Sequence, residues 1–201
     1  MVAGTLALGL VTSCSGQEPG EAVPGNGSTG ESSSGSEPET PSGGTEPTVA
    51  IPPRPADLPL DDVEPCSLFT KPQLTELGID QEPETGTNDG QLKGPTCTLE
   101  ISSKEPFYSF TAQLITDRGV DFWLTGERNV DAWLVSVGDY PAVDFKTKGV
   151  DDQECITTVD VADGQQLMVD VSPLEDVDYK KLCPMSENVA AMALQTLQTL
   201  R

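Results

Sequence analysis

Between Ser15 and Ile51 the chain has hardly any large apolar side chain; Gly, Ser, Pro, Thr and Glu dominate instead. A segment of that kind buries too little apolar surface to offset the conformational entropy of ordering it. Reading residues 15–64 as a tether leaves residues 65–201 to fold, the size of one ordinary domain with its own core. The tether carries ten acidic residues against one base, Arg54. As a flexible coil its ends would lie roughly 40 Å apart. The Pro-rich stretch from Ile51 to Pro59 would be stiffer and more extended.

Ahead of the tether stands a short apolar run, Met1 to Leu10, followed by Val11, Thr12, Ser13 and Cys14. This order resembles the bacterial lipoprotein signal, in which a peptidase cuts after small residues and the Cys thiol takes a diacylglyceryl group. The expectation is a signal peptide over residues 1–13 and a lipidated Cys14 that becomes the new N-terminus. The usual basic n-region is missing, since Arg54 is the first Lys or Arg; this reading therefore puts the true start upstream of Met1. The competing reading is a short apolar N-terminus with a chance Cys. No other segment approaches the ~20 apolar residues needed to span a bilayer. The acylated Cys14 would then be the sole contact with the lipid bilayer, on the outer face of the cytoplasmic membrane.

The formal net charge is −22. Such a charge disfavours nucleic acid, anionic headgroups and anionic wall polymers, and favours cations or basic partners. Solubility outside the cell, or a salty habitat, would account for it equally well. Apart from Cys14 the cysteines are Cys66, Cys97, Cys155 and Cys183. An even number in an exported domain reads as two disulfides. The rival is a metal site, but there is no His and no CxxC pair, so four scattered thiolates would have to converge. Of three pairings the sequence-local one is preferred, Cys66–Cys97 with Cys155–Cys183. Each would close a loop of about thirty residues, worth roughly 3–4 kcal/mol in loop-closure entropy.

Within the domain, Thr70, Pro72, Leu74, Leu77 and Gly78 mark a short capped helix. Residues 80–95 read as a loop with a turn at Asn88 to Gly90. Alternation marks strands at Cys97–Ile101, Phe107–Ile115, Ala132–Val137 and Ala142–Phe145. A hairpin joins Ile156–Val161 to Gln166–Val171 through Ala162, Asp163 and Gly164. Asp117 is a candidate cap for a helix through Leu124, and Gly138 to Pro141 for a turn with Tyr140 at an exposed tip. A final helix from Pro184 places Val189, Ala193, Leu194, Leu197 and Leu200 on one face. The predicted fold is α+β: a single domain with an antiparallel sheet of five or six strands, covered on one face by a short N-terminal and a longer C-terminal helix.

Pro65 to Thr70 before a short helix, the strand around Cys97, Val137 to Val143, Cys155 with Asp163 and Gly164, and the late Cys183-Pro184 helix occur in a telling order. In that order the chain resembles the actinobacterial lipoproteins grouped under domain of unknown function 3558. The resemblance implies an exported, lipid-anchored envelope protein, and brings no catalytic residues with it.

Enzyme chemistry has little to work with. Without His, Ser-His, Cys-His and HExxH arrangements are excluded, and no GxSxG, P-loop or GxGxxG is present. Ser103-Lys104 are adjacent in sequence and would point to opposite faces of a strand. Paired carboxylates could hydrolyse a glycan. Hard-oxygen clusters at Asp151-Asp152, at Asp160 with Asp163, and at Glu175, Asp176 and Asp178 could hold calcium, though none has EF-hand spacing. Trp123, Trp133, Phe107, Tyr108, Phe110 and Phe122 could line an apolar pocket or fill the core. The expectation is a non-enzymatic, tethered binding or accessory domain without cofactor, whose partner is an envelope protein or a small hydrophobic ligand. The alternatives are a carboxylate glycan hydrolase of the cell wall and a structural surface protein without ligand.

Overall fold

Alternating apolar residues on both sides of Cys97, Ala112 and Val169 assemble into one antiparallel sheet. The computed structural model describes residues 49–149, 154–175 and 177–201. Its strands are β1 (Glu84–Asn88), β2 (Gly94–Ile101), β3 (Tyr108–Ile115), β4 (Val130–Val137), β5 (Tyr140–Thr147), β6 (Cys155–Ala162) and β7 (Gln165–Pro173). They run in the order β1-β2-β3-β7-β6-β5-β4. The sheet thus has seven strands rather than five or six. The addition is β1, within the predicted loop: it is polar and almost wholly exposed, so no alternation betrays it. Pairing to β2 through Thr85 opposite Cys97 makes it a strand.

Helices α1 (Lys71–Leu77) and α2 (Leu182–Leu200) follow the predicted pair. The main core lies between the sheet and α2: Phe110 and Leu114 of β3 and Leu167, Val169 and Val171 of β7 meet Val189, Ala193, Leu194 and Leu197. Each such side chain contributes about 1.5–3 kcal/mol by leaving water. α2 begins two residues before Pro184. Leu200 is half exposed, so the apolar face ends at Leu197. α1 has no fully buried residue; Leu74 and Leu77 only lean on the core, which Leu68 and Phe69 seal instead. Gln73 ties this short helix down. It accepts from the Thr70 backbone N–H (2.8 Å) and donates to the Met192 carbonyl of α2 (2.8 Å).

The chain between Ile51 and Glu64, read as the end of a tether, lies on the fold as an N-terminal arm. Its Leu58 and Leu60 are buried in the main core. The register of β6 against β7 slips between Asp160 and Ala162, and the Leu58 N–H donates to the skipped Val161 carbonyl at 2.7 Å. The Leu60 N–H donates to Gln165 Oε1 at 2.7 Å. Two leucines diluted among prolines and acids escape a composition argument, yet suffice to anchor a segment beside an open backbone acceptor.

The β4–β5 hairpin turns at Gly138 and Asp139, with Gly138 at φ 58°. Tyr140 is therefore the first residue of β5 and is buried, not an exposed turn tip. The predicted helix after Asp117 is a single 3-10 turn, Val120–Trp123, capped by Gly119. That turn covers part of the second face of the sheet. Trp123 stacks on Phe145 (centroids 3.8 Å apart) and donates its indole N–H to Gln166 Oε1 at 2.8 Å. Buried Gln166 also donates to the Arg118 and Gly119 carbonyls. Disulfides join Cys66 to Cys97 and Cys155 to Cys183, the sequence-local pairing.

Candidate functional site

Arg54 is the first base in the chain, and the arm delivers it to the β6–β7 turn. Its guanidinium contacts both oxygens of Asp160 at 3.1 Å, Asp163 at 2.8 Å and Asp57 at 2.5 Å. A charge withdrawn from water needs such partners. Burial works against the Arg54 cation, but the three carboxylates outweigh it and hold its pKa above the usual range. Asp160 is nearly buried; burial raises its pKa, Arg54 pulls it back, and the charges of Asp163 and Asp121 push it up again.

Between the arm and the fold lies a cleft of about 510 Å³, lined among others by Pro52, Pro53, Arg54, Val120, Asp121 and Asp160. That volume is in the range of small-molecule sites. A second cleft of about 420 Å³ shares Asp57 and is bounded by Leu58, Tyr140, Gln198 and Arg201. The Arg201 guanidinium closes on the arm, donating to the Pro59 carbonyl (2.8 Å) and the Asp61 carbonyl (2.6 Å). The larger cleft sets four carboxylates against one guanidinium, with proline and aliphatic walls. By charge it suits a ligand that presents a cation or several hydroxyl donors, and repels anions.

Other singled-out residues are dispersed. Cys14, Asp151, Asp152 and Asp176 lie outside the described residues. Asp160 and Asp163 do converge, but around Arg54. Glu175 accepts from the Phe107 N–H at 3.0 Å and Asp178 from the Lys180 N–H at 3.3 Å. The Ser103 hydroxyl donates to Asp80, and the Ser102 and Ser103 backbone N–H groups join it. Those bonds hold Asp80 well below the usual carboxylate range. The aromatic residues do not share a pocket: Tyr108 and Phe110 are in the α2-side core, Phe122 and Trp123 are on the second face, and Trp133 is 39% exposed on β4. Arg118 and Arg128 both lie over the Phe122 ring.

Two further carboxyls are perturbed. Asp144, buried on β5, has its pKa pushed up to about 7, chiefly by burial and then by Glu187 of α2, while the Thr157 hydroxyl donating to it at 2.7 Å works the other way. One of its carboxylate oxygens lies within 4.8 Å of the Cys155 and Cys183 sulfurs, but those sulfurs are bonded to each other and offer no thiolate. On the second face burial and the Glu154 charge push Asp170 up to about 6, and its Oδ1 has no hydrogen-bond partner among the described residues. The site missed in sequence is the Arg54 arm. Its signal was available: a lone base among ten acids, four residues before Leu58.

A family model described as "Protein of unknown function (DUF3558)" matches residues 9–196. No curated protein and no solved structure matches the chain.

Proposed function

The chain belongs to the DUF3558 family of proteins of unknown function, and from that membership we propose that it is a lipid-anchored binding or accessory domain of the cell envelope. Cys14 carries the acyl chains, the acidic tether gives reach, and the disulfide-stapled domain captures a ligand or partner. The observation that carries this reading is the cleft under the arm. A cavity of about 510 Å³ lies against the arm, which lines it with Ile51, Pro52, Pro53 and Arg54. Its carboxylates favour a cationic or hydroxyl-rich ligand over the small hydrophobe that the aromatic residues suggested. Tethering supplies the effective concentration without further contacts.

The test is an intact-mass measurement of the protein extracted from its own membranes in native conditions. The reading expects a chain beginning at Cys14, a lipid-sized addition, and a co-purifying mass that the Asp160→Asn variant no longer carries. A chain that keeps Met1 and no lipid would overturn the anchor. A lipidated chain that is empty in both forms would remove the cleft from the account. Glycan hydrolysis has less in its favour, because Asp144, whose carboxyl is pushed up to about 7, is sealed from solvent.

A further inference from the structure

Two strands bound the sheet, and they are built differently. β1 is short, polar and almost wholly exposed. Beside it runs the Cys66–Cys97 disulfide, whose Cys66 sulfur accepts from the Thr85 hydroxyl at 3.5 Å. β4, at the other edge, has eight residues paired to β5 without a break in register. It contains no proline, and its one charge, Asp131, is matched by Lys148 at 3.7 Å. Natural sheets usually blunt such an edge, because its unpaired N–H and C=O groups are a template for another strand. The turn at Gly138 and Asp139 has two residues, which makes Val137 and Tyr140 a hydrogen-bonded pair. By alternation Ala132, Leu134 and Ser136 direct their backbone groups away from β5. Among the described residues no other backbone group bonds to them.

Trp133 on this strand is the one exposed aromatic side chain among the described residues, and half-buried Val135 shares its face. We propose that β4 is a self-pairing edge: two copies of this chain join β4 to β4, antiparallel about a two-fold axis at Leu134, into one continuous sheet. Outward-facing residues must then meet outward-facing residues. Leu134 meets its own copy, and Ala132 meets Ser136. In that register Trp133 lies opposite Val135 of the second copy, twice over, so each exposed indole covers an apolar side chain. Aromatic and β-branched side chains placed opposite each other stabilise strand pairs. Asp131 comes opposite Val137, and Asp139 opposite Asn129, whose carbonyl accepts from the Lys148 N–H. No like charges are set face to face, and Lys148 stands near both acids. This self-complementarity favours a second copy over an unrelated strand. One strand is a small interface, so a dissociation constant on the order of 10–100 µM is expected. The charge of −22 on each copy opposes the encounter, and added salt should therefore tighten the dimer.

The experiment is analytical sedimentation of the full chain, disulfides intact, at rising concentration, with amide hydrogen exchange in parallel. The expected result is a monomer–dimer equilibrium that tightens at least about threefold between low and high salt. Protection of the Ala132, Leu134 and Ser136 amides should grow with protein concentration. Ser136→Pro deletes one outward N–H at an exposed edge position, where proline is tolerated, and should weaken the dimer at least about tenfold. Trp133→Thr leaves the backbone and strand propensity alone and should weaken it about threefold or more; it carries the test if Ser136→Pro melts early. A chain still monomeric at about 1 mM, a dimer whose three amides exchange at the monomer rate, or one that Trp133→Thr leaves unchanged would each overturn self-pairing. So would protection of those amides, in a chain that stays monomeric, by an added peptide of alternating Lys and Thr, which would give the edge to a basic partner instead.

Discussion

At Arg54 one side chain holds together groups that would otherwise repel. Arg54→Gln leaves Asp160 nearly buried beside Asp163 and Asp121 without a counter-charge, which typically costs a few kcal/mol for a buried charge. This cluster is partly open, so about 1–2 kcal/mol is expected after allowance for solvent screening. The direct readout is hydrogen exchange: the Leu58 amide, bonded to the Val161 carbonyl, should exchange faster in the variant, and unchanged protection would refute the clamp. Asp144 offers a second test at the same scale. Its folded pKa is raised from 3.8 to about 7, so the native state binds its proton more tightly than the unfolded chain does. Stability from this group is therefore fully present below about pH 4, falls as pH rises toward about 7, and is flat above. Asp144→Asn should gain stability against denaturant at about pH 8, by at most ~4 kcal/mol, and gain nothing near pH 4. An equal effect at both values would show that the carboxyl does not titrate in that window.

Among the elements, α1 depends most on its neighbours. Seven residues are too few for a helix to hold by propensity alone. Gln73 supplies the missing support from both ends, through Thr70 and through the Met192 carbonyl. Gln73→Ala should lower stability by about 1–2 kcal/mol; a loss below a few tenths in urea denaturation would mean that α1 is held by Leu74 and Leu77 instead. β1 teaches the opposite lesson. It has no buried residue, and its pairing to β2 is an edge interaction beside the Cys66–Cys97 disulfide. The 3-10 turn at Val120–Trp123 exists because Gln166 and Phe145 grip Trp123 from the sheet, an arrangement that no local helix signal contains.

For the molecule as a whole, the question is where the fold begins. Leu58 and Leu60 bury fully in the main core, and removing two such side chains costs about 2–5 kcal/mol each in well-packed sites. A chain starting at Val49 should match the full chain in thermal stability, whereas one starting at Pro65 should be weaker by several kcal/mol. Equal melting of the two would return residues 51–64 to the tether. Reduction of the two disulfides, which span 31 and 28 residues, should lower the melting temperature further, each bridge being worth roughly 3–4 kcal/mol.

The sequence by itself determined the α+β class, six of the strands, the long amphipathic helix and the expectation of two disulfides, with three pairings open. These follow from periodicity, turn residues and cysteine count, all of which are local signals. Only the tertiary structure decided the rest. β1 became a strand by borrowing hydrogen bonds from β2. Tyr140 went inside because the turn before it needs only two residues. Asp160 and Asp163, separated by more than a hundred residues from Arg54, became a clamp because the β6–β7 turn meets the arm. The Thr157 N–H found the Ser186 hydroxyl of α2, 29 residues away, because α2 packs on β6. Charge pairing of this kind depends on which distant segments share a dry surface, and no property of either segment alone encodes that.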